Sequence, residues 1–136
     1  MTRAPRRALL ALCATAPLLA AGCGDSNNGP KSVLLRFAAD ANFKCGAKNA
    51  GEVFDLSTNS SGQSRAEYVR NQLASEQQSG CTPKRVPHIE AIQLSRSDSI
   101  AVYDVRVENP STDFRGGRAR VIKTEHGWKV DTGRGT

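Results

Sequence analysis

The chain has 136 residues, with 19 Lys+Arg against 13 Asp+Glu and four cysteines. That length supports one core rather than two, and 38% apolar with 24% charged residues is the composition of a folded domain. No run of 18 apolar residues exists, which excludes a spanning helix, and the lack of any collagen triplet, heptad array or 20–50-residue period excludes triple helix, coiled coil and solenoid.

Arg3, Arg6 and Arg7 precede an uncharged stretch, residues 8–22 (ALLALCATAPLLAAG). A basic start followed by a short apolar run has the build of a secretory signal. The run ends in Leu19-Ala20-Ala21-Gly22-Cys23, which resembles a bacterial lipobox. The resemblance implies that the Cys23 thiol takes a diacylglyceryl group as a thioether. A signal peptidase then cuts before Cys23, where Ala21 and Gly22 present the small side chains it needs, and the new amino group is open to a further fatty acyl chain such as palmitate. Ala20 stands where the strict pattern has Leu, a departure the looser pattern admits. Cys13 follows Leu12, too large for the cleavage position, so Cys13 is expected to leave with the signal. Two acyl chains hold a protein stably where one is marginal. The expected location is the extracytoplasmic face of the cell membrane, reached by the general or, given Arg6-Arg7, the twin-arginine route.

Removing residues 1–22 removes three arginines and lowers the net charge from +6 to +3. The basic balance therefore belongs partly to the discarded segment and points to no nucleic-acid partner. Aromatic residues at 5% are also too sparse for a base-stacking platform.

Residues 24–30 (GDSNNGP) carry no apolar side chain and read as a tether. The expected organisation is a signal over 1–22, a lipidated Cys with its tether over 23–30, and a single domain over 31–136. Cys45 and Cys81 remain, and an even pair in an exported chain implies a disulfide. His88 lies near Cys81, but no Cys-x-x-Cys or His-x-x-His spacing suggests a metal. No cofactor is implied.

From Lys31, the apolar positions Leu34, Phe37, Ala38, Ala41 and Cys45 recur at helical spacing, with Val33 adding to the face and Gly46 as the stop. Residues 48–56 suggest a second short helix burying Val53, Phe54 and Leu56. After a polar loop over 57–63, Ser64-Arg65-Ala66-Glu67 reads as a capping box. It opens a helix that runs to about Gln78 and ends at Gly80 before Pro83. The period then changes to two. Strands are expected over 86–95, 99–108, 118–125 and 128–132. A loop over 109–117 joins the middle pair, and His126-Gly127 forms the centre of the last turn. Helices first and strands afterwards predict an α+β fold, with the helices packed on one face of a curved antiparallel sheet of about four strands.

Three stretches carry a further likeness: the helix Val33-Leu34-Leu35-Arg36-Phe37-Ala38-Ala39-Asp40-Ala41 shortly before Cys45, the Gly80-Cys81-Thr82-Pro83 sequence after the last helix, and the closing hairpin Arg120–Asp131 with Gly127-Trp128-Lys129. Over about residues 31–133 the chain resembles small exported lipoproteins with a cystatin-like, nuclear-transport-factor-2-like cone. The resemblance implies a pocket between helices and sheet, but that superfamily includes isomerases, dehydratases and ligand binders alike, so fold analogy does not choose a function. The paired His/Asp of its dehydratases is not seen, and no catalytic residue is carried over.

Phe37, Tyr68, Tyr103 and Trp128 are the pocket-lining candidates, although core is the favoured reading of Tyr103 and the commoner one of Trp128. Asp40 is expected on a solvated helix face, Asp104 on the outer sheet face as the cross-strand partner of an Arg, His88 at the surface or an edge, and His126 in a turn. Arg115, Arg118, Arg120 and Lys123 read as a solvated outer face, with contact to anionic lipid headgroups as the other reading. The expected function is a non-enzymatic, membrane-tethered domain binding a small apolar ligand or an envelope protein. The other reading is a small enzyme that abstracts a proton in the cone.

Overall fold

Pro30 opens the first helix because its missing N–H is one that a helix start leaves unpaired in any case. In the computed structural model, which describes residues 27–108 and 115–133, this helix is α1 (Pro30–Phe43), preceded by Gly29 in an extended conformation. The signal segment, Cys23 and residues 109–114 of the expected loop lie outside the described residues. Val33, Leu34 and Ala38 of α1 are buried and Phe37 is half-buried, as the spacing predicts, whereas Ala41 is exposed and the helix ends before Cys45.

Gly46, at φ 105°, turns the chain into α2 (Ala47–Leu56), which buries Ala50, Gly51, Val53 and Leu56. Gly51 matters for what crosses it. A Cβ there would meet the Arg65 guanidinium at 2.4 Å, so the bare backbone lets Arg65 reach Asp55 in a bidentate pair with contacts of 2.9 and 3.0 Å.

Helix α3 (Arg65–Ser79) begins with the predicted capping box. The Ser64 hydroxyl accepts from the Glu67 N–H at 3.1 Å, and the Glu67 carboxylate accepts from the Ser64 N–H at 3.0 Å. No α3 residue is fully buried; the helix packs on α2, with Tyr68 tilted against Phe54 at 5.6 Å. The Cys45–Cys81 disulfide ties the end of α1 to the end of α3.

Four antiparallel strands follow in the order β1-β2-β3-β4: β1 (Ile89–Arg96), β2 (Ile100–Val107), β3 (Gly116–Thr124) and β4 (Gly127–Val130). Among the described residues the fold is α+β, with three helices packed with one open four-stranded sheet. Period-two alternation sorts β2 into an inner set, Ala101, Tyr103 and Val105, and an outer set including Val102 and Asp104. The inner set, with Ala91, Val121 and Val130, meets Val33, Leu34 and Leu56 in the core.

Strand bounds differ from the expectation in two instructive places. Gly116 and Gly117, read as loop, belong to β3 and pair with Arg106 and Val105. At φ 92° and with a would-be Cβ 2.2 Å from the Val105 carbonyl oxygen, Gly116 lets two backbones approach where a side chain would block them. In the last hairpin, Thr124 pairs with Gly127, so Glu125 and His126 are the central residues, not His126-Gly127. Neither has positive φ, which excludes a type I′ turn. Gly127, at φ 99°, instead closes the turn where a bulged hairpin puts its glycine.

The two sheet edges differ. Along β4, Ser57 forms a parallel bridge with Val130 and the Thr58 N–H donates to the Val130 carbonyl at 2.9 Å. Along β1, the register with β2 slips between Gln93 and Ser95, a bulge.

Candidate functional site

Phe37 projects from α1 toward the end of the sheet where β3 begins, and it walls two hollows. One is a small apolar cavity of about 130 Å³ between α1 and the sheet, lined also by Leu34, Val105, Gly116, Gly117 and Val130. The other is a cleft of about 320 Å³, where Phe37, Val53 and Tyr68 form apolar walls and Ser57, Asn59, Ser60, Ser61, Gln63 and Thr132 form a neutral polar rim.

The rim is fixed by local hydrogen bonds. The Ser60 hydroxyl donates to the Thr132 carbonyl at 2.8 Å, and the Thr132 N–H donates to the Thr58 hydroxyl at 3.1 Å. Asn59 takes a left-handed conformation, φ 57°, that an Asn side chain tolerates by bonding locally. Its amide oxygen accepts from the Ser57 hydroxyl at 3.1 Å and its NH₂ donates to the Phe54 carbonyl at 3.4 Å. Burial pushes the Tyr68 phenol above its usual value, so at neutral pH it stays a neutral donor and acceptor. The cleft thus offers apolar faces and uncharged hydrogen-bonding groups to an occupant.

Comparisons of this chain with protein families, curated proteins and solved structures return no match.

The structure brings Phe37 and Tyr68 together and separates the other two candidates from them. Tyr103 is 1% exposed and sits in the core, away from either hollow. Of its two readings the core one holds and that of a pocket wall is corrected, because α1 and the sheet close over the centre of β2. Trp128 is half-buried at the opposite end of the inner face. There it lines a separate crevice of about 370 Å³ with Asn28, Arg36, His126 and Lys129.

Asp40 overturns its expectation as well. It is 3% exposed, because α2 covers the α1 face that the apolar stripe leaves polar. Its carboxylate pairs with Lys44 at 2.9 Å, and its carbonyl accepts from the Asn49 amide at 2.9 Å. Hydrogen bonding to Asp40 and repulsion from its carboxylate push the Glu52 carboxyl above its ordinary 4.5. The Asn49 amide oxygen is buried beside this cluster with no partner among the described residues. The i,i+4 spacing of Asp40 and Lys44 was the available signal; a single stripe does not reveal that a second helix covers the neighbouring face.

A raised folded-state value has a definite sign. The Glu52 contribution to stability is present below pH 4.5 and is lost as pH rises through the folded value. Wild type is accordingly expected to lose stability relative to Glu52→Gln as pH rises from 4.5 to neutral, measured as the difference in melting temperature. A difference that does not change with pH would show that Asp40 does not perturb Glu52. Asp131 behaves oppositely: the Gly133 N–H and Arg120 lower it, so its contribution is lost as pH falls through the folded value.

Cys45, Cys81 and Glu76 place three donor atoms within 4.8 Å of one another. The two sulfurs are joined to each other, and Glu76 already accepts from the Gly46 N–H at 3.1 Å. The group acts as a staple rather than a ligand set. Asp104 lies toward the outer face as expected and opposite Arg118 in register, but its ion pair, at 3.1 Å, is with Arg106 of its own strand rather than across the strands.

Proposed function

We propose that this chain is an extracytoplasmic lipoprotein, anchored through acylated Cys23, whose domain binds a small neutral molecule with an apolar moiety in the cleft between Phe37 and Tyr68. The observation that carries the binding reading is the lining: three apolar walls and a rim of hydroxyls and amides fixed by the 57–63 segment. Such a site recognises an uncharged ligand by burying its apolar part and satisfying a few polar atoms. The lipobox and the disulfide support the location. The nuclear-transport-factor-2-like relationship remains part of the proposal, supported by helices followed by an antiparallel sheet. Among the cleft walls Tyr68 is the titrating group, and its raised value suits hydrogen bonding better than proton abstraction.

Native mass spectrometry of the oxidised chain tests the reading. A bound small molecule is expected, and Tyr68→Ala together with Gln63→Ala should weaken it at least about tenfold, since each removes a hydrogen-bonding or apolar contact of the order of 1 kcal/mol. A ligand retained at full affinity by the double variant would place binding elsewhere.

A further inference from the structure

The end of the sheet opposite the cleft carries an arrangement that the ligand-binding reading does not use. Two turns meet there, residues 97–99 between β1 and β2 and residues 125–126 between β3 and β4. Trp128 pairs with Lys123 across the hairpin, and the Arg96 guanidinium and the Lys123 ammonium lie 5.3 and 5.9 Å from the Trp128 ring centre. Two cations thus share one aromatic ring, and among the described residues neither has a carboxylate within ion-pair distance. Lys129 is in the same position: its ammonium donates to the Asp55 carbonyl at 2.5 Å and keeps its charge unpaired. Leu94 and Ile100, two of the most exposed large apolar side chains described, at 48% and 36%, lie at this same end.

The chain also enters here. Asn28 lines the crevice shared by Trp128 and Lys129, and the Arg36 guanidinium donates to the Asn27 carbonyl at 3.4 Å. Cys23 is four residues before Asn27, a reach of about 14 Å at full extension. An anchor on so short a tether forces this end of the domain against the bilayer. An indole with exposed aliphatic side chains and unpaired cations is the side-chain set that settles at the headgroup level of an anionic membrane.

We propose that the sheet end formed by Arg96, Lys123, Trp128 and Lys129, with Leu94 and Ile100, is a docking face for the headgroups of anionic phospholipids, which holds the anchored domain upright with its cleft turned away from the membrane. The orientation rests on the anchoring of Cys23; the docking face itself does not. The structure also divides the basic cluster read from the sequence. Lys123 belongs to this face, whereas Arg118 and Arg120 stand on the outer side of β3, Arg120 bound to Asp131 at 2.8 Å.

The test uses the chain from Cys23 onward with Cys23→Ser, so that no acyl chain contributes. Trp128 is the single tryptophan, and its emission reports on this face alone. Vesicles of phosphatidylglycerol mixed with phosphatidylcholine are expected to shift the emission to the blue, with reversal at high salt, and phosphatidylcholine alone is expected to leave it unchanged. Arg96→Gln with Lys123→Gln should weaken binding about thirtyfold, at roughly fivefold per surface cation. The control pair Arg70→Gln with Arg85→Gln makes the same change in charge away from this face and should leave binding near wild type. No response to anionic vesicles, or an equal loss in the control pair, overturns the docking face. The anchor is read separately from the intact mass of the full chain extracted from membranes. An acylated mass without a vesicle response removes the docking face and keeps the anchor; an unacylated mass with a vesicle response does the reverse.

Discussion

Replacing Cys45 and Cys81 together by serine is expected to lower the melting temperature by roughly 20 °C. The bridge closes a 36-residue separation, and the entropy it removes from the unfolded chain corresponds to about 4 kcal/mol. In a domain of this size each kcal/mol moves the midpoint by about 4–8 °C. The loss should fall first on α3. That helix buries no residue fully and is held by its contact with α2, the Arg65–Asp55 pair and the bridge itself. Calorimetry of the double variant gives the total, and hydrogen exchange should show α3 amides opening before those of β2. A drop of only a few degrees would mean that the loop from 45 to 81 is already ordered in the unfolded ensemble.

Tyr103→Ala should cost about 3–5 kcal/mol, the range found when a buried aromatic ring is deleted from a core. Tyr103 stands in the middle of β2, opposite Gln93 of β1 and Ala119 of β3. Its 1% exposure leaves no solvent to fill the space. The small neighbours Ala101 and Ala119 show that this ring supplies much of the volume there, so the cavity would not collapse easily. Tyr103→Phe separates ring from hydroxyl and should cost no more than about 1.5 kcal/mol. It should also leave ligand binding intact, because the ring lines neither hollow. Urea unfolding of both variants decides the matter: a loss below about 1 kcal/mol for Tyr103→Ala would contradict the packing described.

Features encoded within one or two turns of chain were legible in the sequence. The 3–4 spacing of Leu34, Phe37 and Ala38 gave α1 its buried face, Ser64 and Glu67 located the start of α3 to the residue, and the change to period two placed β2. The pairing of Cys45 with Cys81 followed from there being only two cysteines after Cys23. What stayed hidden was set by a third element. Asp40 is buried because α2 crosses α1, and no periodicity within α1 records that crossing. Lys123 left its apparent cluster because adjacent strand residues face opposite ways, and the register with Trp128 fixed which way it points. Gly116-Gly117 looked like loop because glycine is usually punctuation; here it permits a close backbone approach inside a strand. Of the site, Phe37 and Tyr68 were legible as apolar candidates. The rim was not, because Ser60 and Thr132 meet only after the sheet has brought the end of the chain beside the 57–63 segment.

The slip between Gln93 and Ser95 bears on what happens when many copies are crowded together. An open sheet edge is the usual seed of strand-to-strand polymerisation. The β4 edge is already occupied by Ser57 and Thr58. Along β1, uninterrupted register runs only from Ile89 to Gln93, with Pro87 just before it. A second copy adding there would find a straight ladder of only five residues, so the bulge blunts this edge against strand-to-strand addition.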